Sequence, residues 1–141
     1  MVATARELAI SLPFKLDANG KVAATVDSAT IWRDRVKSVI GTSLGQRVYR
    51  PSFGCEATNS IFDNEEDVLS DVEGQVTTAF QTFLPILSLR EVSSQLEQES
   101  RRIFIEIRYS TPAGSEYVQQ FGVATIDGTN PIAEEIAWQT T

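Results

Sequence analysis

Arg101-Arg102-Ile103-Phe104-Ile105-Glu106-Ile107-Arg108-Tyr109-Ser110 is the clearest strand in the chain. Ile103, Ile105, Ile107 and Tyr109 recur at every second position, which puts them on one side of a pleated strand. The intervening positions are mostly polar, but Phe104 interrupts them, so both sides of this strand are expected to be at least partly covered. On its C-terminal side, Pro112-Ala113-Gly114 makes a turn. Glu116 to Thr125 then returns with Tyr117, Gln119, Phe121 and Val123 in phase. On its N-terminal side, Gln98-Glu99-Ser100 makes a polar turn after a strand over Ile86 to Leu96. Three consecutive strands joined by short turns form an antiparallel meander.

Working further back, Val68, Val72, Val76, Ala79, Phe80 and Phe83 keep a helical period, predicting a helix over Asn64 to Leu84. Asp63, Glu65, Glu66 and Asp67 stand at its start, where the helix dipole favours negative charge. Pro85 ends it. A second helical stripe, Ile31, Trp32, Val36, Val39 and Ile40, predicts a helix from Asp27-Ser28 to about Gly41 or Thr42, with Arg33, Arg35 and Lys37 solvated between. Ahead of it, Leu8 to Phe14 reads as a short strand and, after a turn at Asp17-Ala18-Asn19-Gly20, Lys21 to Val26 returns as a second strand or extended arm. The order is strands, helix, loop, helix, meander. It predicts an α+β fold with two helices packed on an antiparallel sheet that ends in a C-terminal three-stranded meander. Residues 1–125 form the domain on this reading and residues 126–141 an extension. Within the extension, Asn130-Pro131 suits a helix cap with a first-turn proline, and Ile132, Ile136 and Trp138 form a short apolar stripe.

The 141 residues fit one domain large enough to bury a core. The net charge of −7 lacks the basic footprint that phosphate neutralisation requires, so no nucleic-acid partner is expected. Cys55 is the single cysteine, so no internal disulfide and no oxidising compartment are needed. No apolar run approaches the ~20 residues that span a bilayer, so no membrane partner is expected. The first residues make a poor signal peptide, and a cytoplasmic site of synthesis and folding is expected.

Chemistry has little to work with. The chain has no His, which removes the commonest general base and metal ligand. Cys55 therefore has no imidazole to activate it. Glu56, Asp63, Glu65, Glu66 and Asp67 are the candidate carboxylates for glycoside hydrolysis. The acidic group from Asp63 to Asp67 is explained by helix capping and the dipole. Phosphate-binding glycine loops, serine-nucleophile elbows, zinc clusters and calcium loops are absent, so no cofactor and no metal are expected.

The remaining feature is the irregular segment from Ser43 to Asp63. Loops of this length in a compact domain are uncommon and often functional. Its first part, Gly45-Gln46-Arg47-Val48-Tyr49-Arg50-Pro51-Ser52-Phe53-Gly54-Cys55, concentrates arginine, aromatics and glycine. Arginine and tyrosine favour protein interfaces, and glycine with aromatics also suits a tight packed loop; composition alone leaves both readings open.

At this loop the sequence resembles the gene product 25-like baseplate wedge proteins of contractile tails, some of which carry a "lysozyme-like" label. Thr42-Ser43-Leu44-Gly45-Gln46-Arg47 matches the family's T-x-x-G-E-R, with Gln46 in place of Glu. Arg50-Pro51-Ser52-Phe53-Gly54-Cys55 matches R-P-x-F-G-C. Leu12-Pro13-Phe14, the Asn19-Gly20 turn and Ile61-Phe62 also look like the family's landmarks, so the likeness runs from about Leu8 to Thr125. Leu84-Pro85-Ile86 stands where the family has E-P-R, and only the proline is kept.

The resemblance implies a non-enzymatic sheath initiator, located in the virion tail baseplate and assembled in the bacterial host cytoplasm. Its implied partners are other baseplate wedge proteins and the contractile sheath protein, with six copies around the baseplate. It implies docking on the wedge core through Arg47, Arg50, Pro51, Phe53, Gly54, Leu84, Pro85 and Ile86. It also implies that extended sheath arms add strands to the meander, whose sheath-facing residues are expected to be Ile103, Ile105, Ile107, Tyr117 and Phe121. The alternatives are a peptidoglycan-cleaving enzyme, which needs Glu56 or Asp63, and an antiadaptor-type binding protein.

Overall fold

A computed structural model describes residues 7–57, 65–125 and 134–140. They form two compact units, one through Val36 and one from Lys37 onward.

In the first unit, β1 (Ala9–Ile10) pairs antiparallel with β2 (Ala24–Thr25), with Ile10 opposite Ala24. A bridge between Leu16 and Val22 continues the ribbon. The Asp17 side chain accepts from the backbone N–H of Asn19 (2.8 Å) and Lys21 (2.9 Å), and Gly20 takes φ +75°. These contacts realise the expected turn. The regular pairing is much shorter than the arms predicted from sequence. Helix α1 (Ser28–Gly41) begins in this unit and ends in the second. Asp27 caps it: its carboxylate accepts from the Thr30 N–H at 3.1 Å and the Thr30 hydroxyl at 2.5 Å. The Thr30 hydrogen bonds hold the Asp27 carboxyl below its ordinary value. Arg33, Arg35 and Lys37 are half-buried rather than solvated. The Arg35 guanidinium lies 4.6 Å from the Trp32 ring centroid and pairs with Glu7, so its stem covers apolar surface. Asp34 is buried, accepting from the Leu12 N–H and from Arg33, each at 3.2 Å.

In the second unit, α2 (Glu65–Phe83) precedes a sheet in the order β3 (Ser88–Glu97), β4 (Arg102–Ser110), β5 (Glu116–Thr125), β6 (Glu134–Thr140), antiparallel throughout. One sheet face presents Ile103, Ile105, Ile107, Tyr109, Tyr117 and Phe121, all buried. Val68, Val72, Val76, Ala79 and Phe80 on α2 are buried too, and α2 packs on β3. Each large apolar side chain removed from water contributes about 1.5–3 kcal/mol. Among these rings, Tyr109 lies 6.0 Å from Phe80 and 5.8 Å from Tyr117. The Tyr109 hydroxyl donates to the fully buried Gln119 at 2.7 Å, giving both polar groups a partner.

Two sequence expectations change here. Residues 134–140 form a strand whose register against β5 shifts between Gln120 and Phe121, so Ile136 and Trp138 lie on opposite faces of the sheet instead of sharing one helical stripe. Asn130, Pro131 and Ile132 lie outside the described residues. Trp138 pairs with Gln119 and stacks on Tyr117 at 5.6 Å. Among the described residues the sheet therefore has four strands, and the far side of β5 is occupied by the chain's own β6.

Candidate docking surfaces

The loop after α1 is clasped at its base. The Cys55 N–H donates to the Thr42 carbonyl at 2.9 Å, and the Gly45 N–H donates to the Pro51 carbonyl at 2.8 Å. Between them, turns close from Arg50 N–H to Arg47 carbonyl (3.1 Å) and from Phe53 N–H to Arg50 carbonyl (3.0 Å). Gln46, the residue that replaces the family's glutamate, accepts from the Ser43 N–H at 3.0 Å. An amide oxygen serves this turn without a charge.

Phe53 is the pivot. Its ring lies 4.9 Å from Phe83 at the end of α2. The Arg47 guanidinium sits 3.9 Å from the Phe53 centroid, and Arg50 sits 5.6 Å from it. Arg47 also donates to the Ser38 hydroxyl at 3.1 Å. Neither arginine makes an ion pair among the described residues, so the loop carries two uncompensated positive charges on a chain of net charge −7. Between the arginines, Val48 and Tyr49 project from the tip at 88% and 97% exposure.

Of the residues expected at the wedge core, Arg47, Arg50, Pro51 and Phe53 lie together on this loop, with Gly54 buried at its base. Leu84 is 5% exposed and belongs to the core, its N–H continuing α2 by donating to the Phe80 carbonyl. Pro85 and Ile86 are exposed in the turn before β3, so an apolar surface stands where the family's motif has charge.

The residues expected to face the sheath need correction. Ile103, Ile105 and Ile107 lie on β4, and Tyr117 and Phe121 on β5. Both strands are interior, and all five side chains are buried. Their alternation reports the core and not a border. Among the described residues the borders of the sheet are β3 and β6.

The opposite sheet face carries Phe104, Glu106, Gln120 and Ile136 around a shallow cavity of about 250 Å³. Glu106 accepts from the Gln120 side-chain amide at 2.9 Å and from Arg108 at 3.1 Å. The Gln120 bond first, and Arg108 second, hold its carboxyl below the ordinary value. Phe104 sits beside Gly122 and Ile136, which explains an aromatic on a mostly polar face.

For catalysis, Glu56 is half-buried, and Asp63 lies outside the described residues. Cys55 is buried, and desolvation pushes its thiol pKa up, away from nucleophilic character. Among the described residues no group of three or more His, Cys, Asp or Glu is placed to hold a metal, and no helix is long and apolar enough to cross a membrane.

Three features become visible only in the structure. Composition left the loop open between packing and interface, and the exposure of Val48 and Tyr49 at its tip favours the interface. In the first unit, Leu8, Ile10, Phe14, Leu16, Val22 and Val26 are all exposed. The alternate spacing of Leu8, Ile10, Phe14 and Leu16 was a signal that this arm shows one apolar side. Glu73 on α2 reaches β3 at Ser94, a contact no local pattern announces.

Comparison with known proteins agrees with this architecture. A solved structure from Geobacter sulfurreducens, given a provisional tail-lysozyme description, aligns with a TM-score of 0.62 and 24% identity over 70% of this chain and 92% of its own. A chain of the anti-feeding prophage baseplate aligns with a TM-score of 0.66 and 20% identity over 73% of this chain and 83% of its own. The baseplate wedge protein gp25 of Enterobacteria phage T4 is 24% identical over 107 residues, 75% of this chain and 80% of that protein. The family model for baseplate wedge protein gp25 matches residues 29–115, which include most of α1, the clasped loop, α2, β3 and β4. The chain belongs to the gp25 family of baseplate wedge proteins, structural components of contractile-tail baseplates.

Proposed function

We propose that this chain docks on the wedge core through its clasped loop and starts the contractile sheath by accepting an extended sheath segment at the border of its sheet. The observation that carries this reading is the antiparallel sheet ending on β6, which among the described residues pairs with β5 alone. An edge strand offers unpaired N–H and C=O groups to an incoming strand. Each main-chain bond is worth on the order of 1 kcal/mol net, so one added strand is a modest contact. Repetition around a ring multiplies it through effective concentration. Six copies are part of the reading, supported by the six-fold symmetry described for the anti-feeding prophage baseplate.

At the other surface, Val48 and Tyr49 are the anchors, and Arg47 and Arg50 supply charge that suits carboxylates on the wedge core. Pro85 and Ile86 add an apolar contact where the family has charge. The reading is structural and not enzymatic: Cys55 is buried, and the side chains the loop presents are arginines and aromatics.

The test is assembly with and without the chain. Wedge complexes completed with the chain are expected to nucleate sheath rings on addition of the sheath protein from the same particle, seen by electron microscopy; complexes lacking it are not. Equal sheath growth in both would overturn the proposal, as would clearing of a peptidoglycan gel by the folded chain.

A further inference from the structure

The two borders of the sheet are not equivalent. On β3, Ser94 lies opposite Ile105 of β4, but its backbone N–H donates to the Glu73 carboxylate at 2.9 Å instead of to a strand. That N–H therefore points away from β4, along the outer border. The same carboxylate oxygen accepts from the Ser94 hydroxyl at 2.6 Å, and that hydroxyl is 3.2 Å from the Leu69 carbonyl. One carboxylate thus takes the main-chain donor and the side-chain hydroxyl in the middle of a ten-residue edge strand. β6 shows the contrary pattern. Its Gln139 is exposed, and Ile136 is 51% exposed beside the cavity formed with Phe104.

We infer that Glu73 is a border guard: it closes β3 to strand addition and so directs an incoming extended segment to β6. A strand pairing with β3 would have to displace the carboxylate from Ser94 and leave a negative charge facing the new backbone. A charged group directed at an edge is a recognised way of preventing such pairing. Among the described residues, a strand pairing with β6 meets no such carboxylate. Its side chains on the outer face would lie next to Ile136 and the 250 Å³ cavity. The segment that fits is extended, pairs through its backbone, and carries one apolar side chain at that position. The occupant is a segment of the sheath protein, so this part rests on the proposed function.

Hydrogen exchange on the wild-type chain, with and without the sheath protein of the same particle, tests the direction. Amides of residues 134–140 are expected to slow on binding while those of residues 88–97 stay unchanged. Protection of β3 instead would overturn the inference and leave the proposed function standing. Absence of any sheath binding would overturn the proposed function, and with it the sheath segment as occupant of β6.

A second measurement decides the guard alone, without sheath. Glu73→Ala, checked for folding by circular dichroism, is expected to exchange the Ser94 amide about tenfold faster as a monomer, since a charge-assisted bond is lost. It is also expected to self-associate through β3, with sedimentation mass moving from one chain toward two. Glu73→Gln keeps an acceptor for the Ser94 N–H and should remain monomeric. A folded Glu73→Ala chain that stays monomeric at every concentration would remove the guard role.

Discussion

Replacing Gly54 by Ala probes the clasp that shapes the exposed loop. Gly54 adopts φ +127°, a conformation that L side chains rarely take. A methyl group there would overlap the Thr42 carbonyl oxygen and approach the Thr42 and Ser43 carbonyl carbons to 3.0 and 3.2 Å. Backbone strain in such a region costs about 1–3 kcal/mol. Relieving the overlap moves the Thr42 carbonyl off the Cys55 N–H, whose bond is worth about 1 kcal/mol. The expected total is about 3 kcal/mol, a large part of the ~5–15 kcal/mol typical of a domain. Gly45 is the internal control. It also has positive φ, +82°, but a methyl group there meets nothing within 4 Å. Gly45→Ala should cost only the left-handed strain, about 1–2 kcal/mol. Urea unfolding gives both values, as midpoint shifts at unchanged slope. Equal destabilisation by the two variants would refute the close-approach argument and reduce Gly54 to an ordinary turn glycine.

Other perturbations separate packing from docking. Tyr49→Ala should leave stability within about 0.5 kcal/mol, because the ring is almost wholly exposed, yet weaken wedge binding severalfold in a co-sedimentation titration. Tyr109→Phe should cost about 1–3 kcal/mol in urea unfolding, since it leaves the buried Gln119 carbonyl without that donor. The depressed carboxyls of Asp27 and Glu106 stabilise the fold fully above their ordinary values of 3.8 and 4.5, and that stability is lost as pH falls through the lower folded values. Asp27→Asn keeps a cap acceptor, so unfolding followed from pH 6 to pH 2 should show a shallower acid loss than wild type.

The interior of the sheet was legible because β4 is buried on one face along its whole length. Ile103, Ile105, Ile107 and Tyr109 must then alternate strictly, and burial confirms each of them. The α2 face was legible for the matching reason at a period of 3.6. The same legibility misled the functional reading: strong alternation marks a strand's buried face, whereas a border is defined by backbone groups that carry no side-chain signature. β6 was missed because an irregularity in its pairing puts Ile136 and Trp138 on opposite faces, which leaves no clean alternation to read, and the preceding Asn130-Pro131 suits a helix start. Its strand character comes from pairing with β5, a tertiary fact. Glu73 and Ser94 meet across 21 residues of chain, so neither looks special locally. In the loop, glycine and proline announced the turns, but which side chains point inward depends on the packing of Phe53 between Arg47 and Phe83. Phe53 turns inward there, and Tyr49 is left outside.

An electron cryomicroscopy map of a baseplate carrying its first sheath ring addresses the assembly role without intermediaries. A fifth strand, contributed by sheath and hydrogen-bonded along residues 134–140, is the predicted feature, with Val48 and Tyr49 turned toward the wedge core. Sheath subunits seated without touching this sheet, or a β6 flank covered by the chain's own residues, would contradict it.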